Sequence, residues 1–299
     1  MKKIAILGAN SYIARNVIRV LRKNYSEYLL KLYDYAEKQI DGEENYTSIN
    51  ILNPDTLKKV DFDCDVIFMF IGKTGSVDGF DGFNTFIDIN EKALLNLISG
   101  YRTAHSSAKI IFPSTRLVYR GNDITLKEDA EKEFKTIYAM NKYACEKYLE
   151  QYHKVFGLQY CIFRICVPYG TLIRGASSYG TAEFMVSKAA KGKNISIYGD
   201  GSVRRSLIYM EDLCNVLIKG GLSSQCCNDV YNIGGENYSL NEMAELVALK
   251  YNVGIDYIAY PEVAKKIESG STVFDDNKLN QIIPMNYNGR FLNWINDKI

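Results

Sequence analysis

Short, almost wholly apolar runs alternate with stretches of helical spacing through the first half of the chain. Ile4–Leu7 reads as a buried strand, and Ile13, Val17, Val20 and Leu21 then recur on one helix face. Leu29–Tyr33, Val66–Ile71, Lys109–Phe112 and Tyr160–Ile165 read as further strands. Asn90–Ile98 and Tyr138–Val155 read as helices. Strands that are apolar throughout, rather than alternating, predict a parallel sheet covered on both faces. Parallel neighbours need crossover helices, and the right-handed crossover rule leaves few topologies.

Beyond Val167 the pattern changes to glycines, prolines and short segments. This predicts a first lobe over 1–166 and a smaller lobe built from 167–204 and 234–299. The segment 205–233 is expected to return to the first lobe, through Leu207–Gly220 and Val230–Ile233.

Composition narrows the classes of function. The 299 residues carry a net charge of +1 with both signs interspersed, which gives no basic face for nucleic acid or a membrane surface. No apolar run is long enough to span a bilayer, and the run before Gly8 is too short for an export signal. Seven cysteines follow no metal-ligand spacing and there are two histidines, so no metal site is expected. Reduced, packed thiols in a cytoplasm are the expectation.

The opening segment Ile4-Ala-Ile-Leu-Gly-Ala-Asn-Ser-Tyr-Ile-Ala14 places a glycine after a strand and before a helix. Backbone N–H groups and the positive end of a helix meet a pyrophosphate at such a turn. Gly8 permits the tight turn, Ser11 stands where a second glycine is usual, and Ala14 is small enough for helix–strand packing. The glycine pattern alone fits an ordinary strand-to-helix turn equally well. Asp34 tips the balance, because it ends the second strand where an acid accepts hydrogen bonds from a ribose 2′-OH. Its charge repels an additional phosphate there, which favours NAD over NADP. The fold class is therefore α/β, a Rossmann-type doubly wound parallel sheet with a smaller C-terminal substrate-binding lobe.

Tyr138 and Lys142 share one face at the start of a helix. A free phenol is too weak an acid to act as a base near neutrality, and a neighbouring cation favours phenolate. Tyr143 and Lys147 repeat the spacing. The first pair is preferred because Ile110-Ile-Phe-Pro-Ser-Thr115 precedes it and ends at the sheet edge where ligands bind. Thr115 there can share a hydrogen bond with Tyr138 and a reacting hydroxyl.

With these motifs in this order, the chain resembles the extended short-chain dehydrogenase/reductase superfamily, in its nucleotide-sugar epimerase/dehydratase branch. The likeness runs through Gly8–Ala14, Val66–Gly72, Asn90, Ser114–Gly121, Tyr138 with Lys142, Phe163–Gly170, Ile197–Arg205 and Tyr231–Gly235. The resemblance implies NAD as cofactor, a nucleotide-diphosphate sugar as substrate, and Thr115, Tyr138 and Lys142 as the catalytic set. It implies cofactor contacts from Gly8, Asn10, Ser11, Tyr12, Ile13, Asp34, Asn50, Ile51, Ile71, Gly72, Asn90 and Cys166, together with Tyr138 and Lys142. Substrate contacts are expected from Thr74, Arg116, Val167, Tyr198 and Arg205, with Arg205 on the diphosphate and Tyr198 stacked on the base. It also implies a homodimer formed through Asn90–Ala104 and Tyr138–Val155.

The implied activity is hydride transfer at a sugar carbon, with epimerisation at C4 the first expectation. A 4-ketosugar reductase using the same residues and a non-catalytic dinucleotide sensor are the alternatives. The family's 4,6-dehydratases carry Asp-Glu after the catalytic threonine, whereas Arg116 and Leu117 stand here, which argues against elimination of water. Val167 replaces a usual asparagine and Asn50 a usual aspartate.

Overall fold

In the computed structural model, residues 2–176, 180–287 and 290–297 are described. The chain begins in the middle of its main sheet. Strand β1 (Lys3–Leu7) is flanked by β2 (Leu29–Asp34) on one side and β4 (Val66–Met69) on the other. Beyond β2 lies β3 (Tyr46–Ser48). Beyond β4 lie β5 (Lys109–Thr115), β6 (Tyr160–Ile165) and β10 (Val230–Ile233). Every pairing in this seven-stranded sheet is parallel, and the order β3-β2-β1-β4-β5-β6-β10 reverses direction at β1. Ligands bind in the crevice at such a reversal, outside the carboxyl ends of the strands.

Alternation along each strand sends successive side chains to opposite faces. Ile4, Ile6, Leu32 and Phe68 face one layer, with Val17 and Leu21 of the first helix (Tyr12–Asn24) and Leu213 and Leu217 of the Met210–Leu222 helix. Ala5, Leu7, Ile67 and Met69 face the other. There they meet Leu94, Leu97 and Ile98 of the Ala93–Thr103 helix and Cys145 and Leu149 of the Ile137–Phe156 helix. Both faces are thus apolar, which is why these strands read as unbroken hydrophobic runs.

A second core gathers Tyr169, Met185, Ile195, Val247 and Phe291. It lies against a three-stranded sheet of β7 (Val167–Tyr169), β9 (Arg204–Tyr209) and β11 (Glu236–Ser239), ordered β11-β9-β7. A parallel pair, β8 (Ile195–Tyr198) and β12 (Ile255–Ile258), completes this part. Within 205–233, β9 pairs with β7 and β11, the Met210–Leu222 helix packs on the first helix, and β10 joins the main sheet. Asn16 ties the parts together by accepting from the Leu172 amide at 2.6 Å.

Some boundaries differ from the sequence expectation. β5 runs three residues further, to Thr115, and β4 stops at Met69, so Ile71 follows the strand rather than ending it. The helix expected from Asn90 begins with a π-helical stretch, Ile87–Lys92, before its α-helical part. Among the described residues no helix is long and apolar enough to cross a membrane. All seven cysteines are free thiols.

Candidate active site

A cavity of about 620 Å³ opens at the carboxyl edge of the main sheet, beside β1, β4, β5 and β6. Asn10, Ser11, Tyr12 and Ile13 line it from the glycine turn, Gly72 and Thr74 from the loop after β4, and Ser114 and Thr115 from β5. Tyr138 and Lys142 enter from the helix, and Cys166 and Val167 form the wall after β6. These expected site residues, scattered over some 160 positions of sequence, meet in one place.

Gly8 has φ +83°, and a Cβ there would stand 2.7 Å from the Ile71 amide nitrogen. Only glycine meets both demands. Ser11 caps the first helix without a side-chain hydrogen bond, and its Oγ is buried with no partner. No acidic residue lies in that helix's first turn. An orphaned hydroxyl at a helix N-terminus fits a phosphate group. The Asp34 carboxylate accepts from the Asn10 amide at 2.9 Å and from the Tyr35 amide at 2.6 Å, locking the end of β2 to the turn.

The catalytic helix is held at both ends. Thr136 accepts from the Ala139 amide at 3.1 Å, and Gly157 closes the far end in the left-handed conformation. Tyr138 is therefore fixed in the first turn and Lys142 one turn on. The Thr115 and Tyr138 side chains face the same cavity. Burial pushes the Tyr138 phenol up to about 12, and the nearby Thr115 hydroxyl works in the opposite direction. Burial pushes Lys142 down to about 8, and its amine lies 4.1 Å from the centre of the Phe112 ring. The sequence reading expected the lysine to lower the phenol. In the protein alone, loss of water is the larger effect.

Other expected residues stand outside the cavity lining. Asn90 is buried and clamps the backbone after β4, accepting from the Lys73 amide at 2.9 Å and donating to its carbonyl at 3.1 Å. Asn50 is exposed and spends its side-chain oxygen on the Leu52 amide, while Ile51 packs in the core. Tyr198 is exposed, with its ring 5.3 Å from that of Tyr260. Arg205 is buried and ion-paired with Glu268 at 2.6 Å. Arg116 donates to Ser269 and Thr272. Cys166, in the cavity wall, donates its thiol hydrogen to the Gly234 carbonyl, and burial pushes its pKa well up.

Sequence reasoning missed a buried network directly behind the catalytic set. Arg164 donates twice to Glu146, at 3.0 and 2.6 Å, and once to Tyr119 at 2.7 Å. Ser114 donates to the same carboxylate, and Tyr119 donates to Asn232 at 2.7 Å. The available signal was Glu146, one turn beyond Lys142 on the same face.

A doubly wound sheet with a glycine turn at its reversal point, and a threonine, tyrosine and lysine converging beside it, defines a dinucleotide-dependent oxidoreductase-type site. Residues 4–234 match the model of the NAD dependent epimerase/dehydratase family, and the chain belongs to that family, with NAD as its cofactor. It is 24% identical over 262 residues to a putative UDP-glucose 4-epimerase of Methanocaldococcus jannaschii, covering 84% of this chain and 82% of that one. It is 28% identical over 267 residues to GDP-mannose 3,5-epimerase of Arabidopsis thaliana, covering 82% and 68%. The fold matches that of Thermus thermophilus UDP-glucose 4-epimerase in complex with NAD, at 17% identity and a TM-score of 0.82, over 99% of this chain and 100% of that one.

Proposed function

We propose that this protein is an NAD-dependent nucleotide-sugar epimerase acting at C4. The observation that carries the reading is the convergence of Thr115, Tyr138 and Lys142 in one cavity that also contains the unpartnered Ser11 hydroxyl. Residues 1–166 with the returning segment 205–233 form the cofactor side, and 167–204 with 234–299 the sugar-nucleotide side. The amides at the start of the first helix and Ser11 hold the pyrophosphate, and Asp34 keeps lone pairs for the adenosine ribose.

When bound, NAD supplies a hydride acceptor that later returns the hydride, and its cationic ring favours phenolate. Tyr138 takes the proton from the sugar C4 hydroxyl, which Thr115 orients by a shared hydrogen bond. Lys142 keeps a positive charge beside the phenolic oxygen. After the sugar turns over in the cavity, Tyr138 returns its proton to the new C4 oxygen. Tyr198, beside Tyr260, offers a face to the base, and Arg205 reaches the diphosphate by sharing its donors with Glu268.

Replacing Tyr138 with Phe removes the proton carrier and leaves the cavity's shape. The expected result is a loss of about 10³-fold in kcat with NAD still bound. Unchanged turnover of every nucleotide sugar in the Tyr138→Phe variant rejects the reading. Retention of one NAD through many turnovers is expected of an epimerase, whereas net consumption of NADH marks a reductase.

A homodimer in the cytoplasm completes the proposal. Phe80, Phe83 and Ile87 are exposed next to the catalytic helix, whose Met140 is also exposed. These exposed apolar side chains suit contact with a second copy.

A further inference from the structure

Three elements that frame the cavity meet on one carboxylate outside it. Glu146 stands on the catalytic helix, one turn beyond Lys142 and two beyond Tyr138. Its carboxylate accepts from the Ser114 hydroxyl at 2.5 Å, from Arg164 Nε at 3.0 Å and from Arg164 Nη2 at 2.6 Å. Ser114 precedes Thr115 at the end of β5, and both line the cavity. Arg164 pairs with Ser114 in the sheet and is followed by Ile165 and Cys166, which also line it.

All three side chains are buried, and the carboxylate has little freedom. The guanidinium fork fixes its plane through two bonds, and the Tyr119 hydroxyl and Glu128 carbonyl hold the fork at 2.7 Å each. The helix and two strands are therefore pinned at the carboxyl edge of the sheet, where the cavity opens. Further down, apolar packing of Phe112, Ile162, Cys145 and Leu149 already joins the same elements.

A buried ion pair is not needed to hold these elements together. Apolar side chains of similar volume do so at least as well, because desolvation cancels much of the attraction between the charges. What three directed hydrogen bonds add is a fixed geometry. Ser114 and Thr115 are successive residues of one extended strand, so a shift of the first carries the second with it. Burial lowers the Lys142 pKa, and the charge of Glu146 acts in the opposite direction, towards the cation that the mechanism uses.

We propose that Glu146 is a positioning residue for the hydride-transfer step: through Ser114 it fixes the Thr115 hydroxyl against the helix that carries Tyr138 and Lys142. This rests on the epimerase reading above. Glu146 acts through Ser114 and does not itself meet the substrate.

The test compares Ser114→Ala, Ser114→Thr and Glu146→Gln with the parent, each loaded with NAD. UDP-glucose, UDP-glucuronate and GDP-mannose are the probes, and the one the parent turns over fastest is used. Rates are taken per NAD-loaded site, so unfolded protein does not count. Ser114→Ala removes one directed bond and leaves the ion pair in place. It is expected to lower kcat per loaded site by about 10- to 100-fold while KM moves less than about 2-fold, the effect of a small misplacement of reacting groups. Ser114→Thr keeps the hydroxyl and is expected to restore most of the loss. Glu146→Gln is expected to lower kcat as well, and adding Ser114→Ala to it is expected to change little more, because both act through one contact. If Glu146→Gln does not fold, the two Ser114 variants decide.

An unchanged rate per loaded site in Ser114→Ala overturns the proposal, because it marks a structural role. A loss carried by KM also overturns it, because it marks a substrate contact, and so do Ser114→Ala and Glu146→Gln losses that multiply independently. Each of these spares the epimerase reading as long as Tyr138→Phe loses turnover as expected above. No turnover of any probe by the parent removes both.

Discussion

Two charge clusters adjoin the neighbours of Thr115, one through Ser114 and one through Arg116, and they differ in burial and balance. In one, Arg164 and Glu146 are 4% and 2% exposed and bind each other through two hydrogen bonds, with Ser114 and Tyr119 taking up further donors and acceptors. In the other, Arg205 is paired with Glu268 while Arg116 meets only the Ser269 and Thr272 hydroxyls. A satisfied cluster needs nothing from outside and serves the fold. An unsatisfied one is maintained against its own desolvation cost, which makes sense where a ligand completes it. Lys142 and the Ser11 hydroxyl belong with the second kind, since neither has a charged partner or, for Ser11, any partner.

The comparison breaks most easily at Arg164. Arg164→Met strands the Glu146 carboxylate among buried groups, and loss of one member of a buried pair costs about 3–5 kcal/mol. Chemical denaturation should show a loss of that size. A change under about 1 kcal/mol would mean that Glu146 finds another partner and that the cluster is not a closed unit. The Glu146→Gln, Arg164→Met double variant should recover part of the loss.

Lys142 gives the next effect, and its sign depends on pH. Burial lowers its pKa to about 8 in the folded protein, against about 10.4 unfolded. Between those values the unfolded chain binds more protons than the folded one, so the lysine's contribution to stability rises with pH. Below pH 8 its buried charge imposes the full penalty, about 3 kcal/mol for a shift of this size. Lys142→Met should therefore be more stable than the parent at pH 7, and the advantage should shrink between pH 8 and pH 10.5. A pH-independent difference in unfolding free energy would show that the amine is solvated. Tyr138 titrates above this window, since burial raises it to about 12.

The same division explains what could be read in the sequence. Gly8, Ser11, Asp34 and the Tyr138–Lys142 pair are defined by local spacing: a turn between a strand and a helix, a strand end, one turn of helix. The strands they depend on are apolar on both faces and stand out as unbroken runs. Contacts made across long stretches of chain leave no such trace. Arg116 meets Ser269 and Thr272 more than 150 positions away, and nothing near either segment announces the other. β3 has three residues, two of them polar, which is too little for periodicity to register. Asn90, expected from the resemblance to contact the cofactor, exchanges two hydrogen bonds with the Lys73 backbone in the loop after β4. An asparagine that serves the backbone and one that serves a ligand look alike in sequence.

Ser11 yields the smallest effect and the sharpest sign. Its hydroxyl is buried without a partner, so the folded protein forfeits the hydrogen bonds the group makes with water when unfolded. Ser11→Ala removes that group and should raise the stability of the NAD-free protein by about 1 kcal/mol. The same change removes a donor to the pyrophosphate and should weaken NAD binding by about 5- to 10-fold. Thermal unfolding with and without NAD separates the two: the variant should melt higher alone and gain less from the cofactor. A variant that melts lower in both conditions would place Ser11 with the satisfied groups, as a helix cap whose hydroxyl serves the fold rather than the ligand.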